Sequence, residues 1–71
     1  MKWNYNKLRG KIKEVCGNQD KFANMLGIGR VSLSMRLNNK IEFTQEEIYK
    51  ACEILGIDLE DIPIYFFALI V

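Results

Sequence analysis

Histidine is absent from these 71 residues, and proline occurs once, at Pro63. Lacking histidine, the chain has no side chain that ordinarily changes charge near neutral pH, and no Ser-His or Cys-His nucleophile pair. Cysteine is scarce too. Cys16 and Cys52 stand far apart, with no CxxC and no metal-ligand spacing, so neither a disulfide framework nor a zinc site is expected. Both read as small apolar groups in a reducing compartment. The longest apolar run, at the C-terminal end, is about half of what a membrane helix needs, and the opening MKWNYNKLRG lacks the apolar core of a signal peptide. These absences lead us to expect a cytoplasmic protein with no membrane partner. No carboxylates pair in an apolar setting and no glycine loop suits a phosphate. Glu46-Glu47 and Glu60-Asp61 read as first-turn helix charges. The expectation is therefore no enzyme, no metal and no cofactor.

Charge is present in both signs but unevenly placed. The net charge of +1 combines a segment 1–40 of +7 with a segment 41–71 of −6. The first holds nine basic residues against Glu14 and Asp20; the second holds Lys50 against seven acids. A chain so polarised suits a polyanionic partner on its basic side, or simply two solvated surfaces.

The apolar residues repeat with helical spacing almost throughout, as expected for one small domain spanning 1–71. Leu8, Ile12 and Val15 mark the inward stripe of a first helix, with Asn4 or Asn6 at its start and Gly17 at its end. Gly10 inside it is expected to admit a closely packed neighbour. A second helix starts at Asn18 and carries Phe22, Ala23 and Leu26 to Gly27; a third runs from Gly29 or Arg30 to the turn-forming pair Asn38-Asn39. Thr44 with Glu47 forms a capping box for a fourth, with Ile48, Ala51, Cys52 and Leu55 inward and Gly56 as its stop. Asp58 and Asp61 can open a short fifth turn, which Pro63 is expected to end or redirect. In IYFFALIV, helix and strand signals cannot be separated. The fold class is all-α, a compact bundle of four or five helices.

Two helices joined by the short turn GIG form a helix-turn-helix unit at about residues 18–38. Phe22, Leu26, Leu33 and Leu37 make its floor, Ala23 lets the third helix cross, and Ile28 plugs the turn. With Gln19, the Asn38-x-Lys40 segment and the following helix ending in LGI, this spacing resembles the lambda-repressor-like, phage Cro/CI-type family of transcriptional regulators over about residues 6–62. The ending DIPIYFF looks like small phage-borne regulators of Gram-positive bacteria. Two departures stand out. Arg36 occupies a position that is commonly apolar, and Gly29 replaces a side-chain cap before the third helix.

Opposite Leu33 and Leu37, one stripe of the third helix carries Arg30, Val31, Ser34, Met35 and Asn38. The resemblance implies that this helix enters the major groove of operator DNA. Arg30, Val31, Ser34 and Met35 would then meet base edges, Arg30 by its fork on guanine. It also implies that Asn18, Gln19, Asn38 and Lys40 grip phosphates, with Lys21 and some of Lys7, Lys11 and Lys13 widening the basic footprint. Val31 and Met35 suit a protein-binding surface equally well. The apolar tail 63–71 supplies a candidate dimer or partner interface in Phe66, Phe67, Leu69, Ile70 and Val71, unless its aromatic residues fold back into the core. Two functions remain open. The main reading is a sequence-specific DNA-binding transcriptional regulator, a homodimer on duplex DNA. The other is a modulator that docks on a second phage regulator protein through Val31, Met35 and the tail.

Overall fold

The computed structural model describes residues 2–70. Five α-helices follow one another in this span: α1 (Asn6–Cys16), α2 (Gln19–Leu26), α3 (Arg30–Leu37), α4 (Gln45–Leu55) and α5 (Ile62–Phe66), the last entered through a 3-10 turn at Leu59–Asp61. The all-α expectation holds.

At the start of α1 the Asn4 side chain accepts from the Asn6 N–H at 2.9 Å, so Asn4 orders this end. Leu8 and Ile12 are buried as expected, but Val15 is exposed. The inward stripe runs through Tyr5, Leu8, Ile12 and Cys16 instead, one residue every turn, and leaves Val15 at its edge. Gly10 is also corrected: a Cβ there would meet no atom within 4 Å, so no neighbour requires the glycine.

Asn18 caps α2, its side chain accepting from the Lys21 N–H at 2.8 Å. Gly27 ends α2 at φ 83°, ψ 24°, a left-handed conformation that a Cβ would strain. The chain then turns, with the Ile28 N–H donating to the Ala23 carbonyl at 3.0 Å. Phe22, Ala23, Leu26, Leu33 and Leu37 are all buried, and Ile28 packs against them. The floor of the helix-turn-helix unit is therefore as its spacing requires.

Both halves of the Thr44–Glu47 capping box are formed. Pro63 does not end a helix. It lies in the first turn of α5, where a missing N–H interrupts no helical bond. After Phe66 the chain is extended and pairs antiparallel with the amino-terminal segment. The Asn4 N–H donates to Ala68 O at 2.6 Å, and the Ile70 N–H to Lys2 O at 3.3 Å. A single β-bridge joins Trp3 and Leu69. Phe66 is only 1% exposed and packs edge-to-face on Phe43, ring centroids 5.3 Å apart. It is core, and so is withdrawn from the expected interface. Phe67, Leu69 and Ile70 are each about half exposed. Val71 lies outside the described residues.

Candidate functional site

Leu33 and Leu37 fasten α3 to the core, so its opposite side faces outward. Arg9 on α1 reinforces one end: its Nη2 donates to Leu37 O at 2.9 Å and to Asn38 Oδ1 at 3.2 Å. A guanidinium there satisfies a terminal carbonyl and complements the negative end of the helix dipole.

Of the polar groups expected to read bases, Ser34 is hydrogen-bonded within the protein, while Arg30 is 76% exposed beside an acid. An Arg30 Nη1 lies 3.5 Å from an Asp20 carboxylate oxygen of α2. Asn38 Nδ2 donates to Ser34 O at 2.9 Å and to Ser34 Oγ at 3.2 Å, while Asn38 Oδ1 receives Arg9. Between them stand Val31, 71% exposed, and Met35, 37% exposed. The chain beyond α3 returns to the Met35 carbonyl, which accepts from the Lys40 and Ile41 N–H groups at 2.8 and 3.3 Å. That brings a further exposed apolar residue, Ile41, to the end of α3.

The residues expected to hold phosphates divide between the two ends of the unit. Asn18, Gln19 and Lys21 are at the start of α2, and Asn38 and Lys40 follow α3; all are exposed. The Asn18 side-chain oxygen is committed to the cap. Asp20, exposed between Gln19 and Lys21, sets a carboxylate where a phosphate would approach.

Arg36 faces the interior. Its Nε and Nη2 donate to Glu47 Oε1 and Oε2 at 2.8 and 3.0 Å, and its Nη1 donates to Ser32 O at 2.9 Å. The two side chains are 13% and 15% exposed. Glu47 Oε1 also accepts from the Thr44 N–H at 3.0 Å, so one carboxylate serves both the α4 cap and the bridge to α3. Burial by itself pushes the Glu47 carboxyl up. The Arg36 hydrogen bond and charge, with the Thr44 backbone and hydroxyl, outweigh it and hold the group below its usual 4.5. Sequence reasoning placed Glu47 only in the cap, and saw Arg36 only as a departure. An arginine on an inward stripe, followed by an acid-rich first turn, was the available signal.

The family described as "Protein of unknown function (DUF739)" matches residues 1–69. The chain belongs to the DUF739 family. It is also similar to a solved protein, the modulator of repression (MOR) of the temperate bacteriophage TP901-1 from Lactococcus lactis, known from a solution structure. The two are 42% identical, with a TM-score of 0.82 over 94% of this chain and 90% of that one. No curated protein matches. The likeness to MOR agrees with the expected resemblance to small phage regulators, while neither comparison supports the Cro/CI type specifically. The helical bundle itself is shared with MOR across nearly the whole chain. No helix among the described residues is long and apolar enough to cross a membrane.

Proposed function

We propose that this protein is a modulator of repression, a non-catalytic regulator that docks on a phage repressor through the outward face of α3. The observation that carries the reading is the near-full-length likeness to MOR at 42% identity. The face itself favours the same side. Direct readout needs donors and acceptors aimed outward; here Ser34 is bonded to Asn38, and Arg30, itself 76% exposed, stands beside the Asp20 carboxylate, which opposes an approaching phosphate backbone. Val31 and Met35 set apolar area beside the exposed Arg30, and exposed apolar side chains at the centre of a patch are typical of protein interfaces. The positive charge of residues 1–40 then serves to steer and orient a partner rather than to count phosphates.

The test pairs purified protein with a temperate-phage repressor, that of TP901-1 first, and measures binding by calorimetry beside duplex binding at 50 and 200 mM salt. We expect repressor binding that Val31→Asp or Met35→Asp weakens about 30-fold or more, as for a central interface residue. Failure to bind repressor, together with tight duplex binding that drops steeply with salt, would refute the reading in favour of a DNA-binding regulator.

A further inference from the structure

A groove crosses a part of the surface to which α3 contributes nothing. It consists of three adjoining depressions. The central one, about 280 Å³, lies between α4 and α5 and is lined by Gln45, Ile48, Tyr49, Ile62 and Phe67. Tyr49 is also a wall of the next depression, which ends at Glu53, Asp58 and Leu59. Ile48 and Phe67 are shared with the one on the other side, which reaches Trp3 and Glu42. Through these shared walls the three lie side by side. Tyr49 and Phe67 remain 55% and 48% exposed, so an apolar floor stays open to water.

Charge indicates what covers it. Glu53 and Asp58 stand at one end and Glu42 at the other. None of the three is in an ion pair; those among the described residues are Lys11–Glu14, Arg30–Asp20 and Arg36–Glu47. The only base of residues 41–71 is Lys50, and its Nζ lies 3.7 Å from where a Gly27 Cβ would stand, at the α2–α3 turn. A two-fold contact between copies through this groove would bring like-charged acidic rims together, and no residue lining the three depressions is basic. We infer that the groove is a docking site for a cationic amphipathic segment of a partner protein: an apolar ridge over Tyr49 and Phe67, flanked by Lys or Arg reaching Glu53 and Asp58 at one end and Glu42 at the other. Rims of this sign select the partner's charge and speed its approach.

Trp3 gives a built-in reporter. It is the single tryptophan, it lines the groove, and its ring stands edge-on to Phe67 at a centroid distance of 5.5 Å. The probes are a synthetic Leu/Lys amphipathic helical peptide and its Leu/Glu counterpart, titrated into the full chain while Trp3 emission is recorded. The Leu/Lys peptide should shift the emission saturably and the Leu/Glu peptide should not. The exposed double substitution Glu53→Lys with Asp58→Lys should weaken binding about tenfold or more, and Tyr49→Ala should weaken it too, both with unchanged circular dichroism. Val31→Asp on α3 should leave the titration as it was, which separates this site from the repressor-docking face. Equal binding of both peptides would overturn the inference, as would indifference to the double substitution or loss on Val31→Asp. So would a dimer of the protein alone that excludes the peptide, since a second copy would then be the occupant.

Discussion

Replacing Glu47 by glutamine keeps the side-chain length and leaves an oxygen for the Thr44 N–H and Arg36 Nε, but it removes the charge and turns the acceptor that receives Arg36 Nη2 into an NH2 donor. Exposed ion pairs are worth ~0.2–1 kcal/mol, while removing one member of a fully buried pair costs ~3–5 kcal/mol. At 13% and 15% exposure, with two-point geometry, the Arg36–Glu47 pair falls between these limits. We expect a loss of about 2 kcal/mol, or about 8–16 °C in Tm for a domain of this size. The pH profile isolates the cause. The folded chain holds the Glu47 carboxyl below its usual value, so between the two values the unfolded chain binds more protons and stability rises with pH. The stabilisation is complete above the unfolded value near 4.5 and is lost as the pH falls through the folded one. Thermal unfolding followed by circular dichroism from pH 2 to 7 should show this acid limb flattened in Glu47→Gln, and a cycle with Arg36→Met should give a coupling of about 1–2 kcal/mol. A variant melting within about 2 °C of the parent, with the same acid limb, would refute the claim that this pair ties α3 to α4.

Gly10→Ala should raise stability by about 0.5–1 kcal/mol, because the position is helical and open and alanine loses less backbone freedom on folding; a lower Tm would mean that something does approach it. A thiol reagent should label half-buried Cys16 in the native protein and reach Cys52 only as the chain unfolds, since burial both shields the Cys52 thiol and pushes its pKa up. Equal rates at the two sites, measured by mass spectrometry, would contradict the packing of α4.

The fold was legible where one local rule decided the outcome. Helical spacing placed α2, α3 and α4, the Thr44–Glu47 box fixed the start of α4, and Gly27 required the left-handed turn. Local rules failed where a partner distant in sequence intervened. Val15 fits a helical stripe on α1 but lost its place to Cys16, because the contact surface drifts around the helix. Pro63 reads as a stop, yet tertiary packing uses it as the start of α5. The tail could not be assigned because its structure depends on the amino-terminal segment. The hold on that segment comes from Asn39, at φ 61°, whose side chain accepts from the Trp3 N–H and donates to Trp3 O. Exposure on α3 was legible as well; engagement was not. Nothing local indicates that Arg30 will find Asp20, or that Arg9 will reach across 29 residues to Asn38.

Those engagements bear on two readings that share one fold. A helix offering free amides and guanidinium groups suits the edges of bases, whereas one whose polar groups are tied to each other presents shape and apolar area. On α3 Arg30 stands beside Asp20 at one end, Asn38 is held by Arg9 at the other, and Val31 and Met35 place apolar area between them. The charge split then sorts partners by sign. The face around Val31 belongs to the +7 segment, while the groove at Tyr49 belongs to the −6 segment. A cationic patch that suits the rim of Glu42, Glu53 and Asp58 is poorly matched to a face that carries Arg30 and Lys40. Two patches of opposite sign, on one regulator or on two, are what this distribution of charge accommodates.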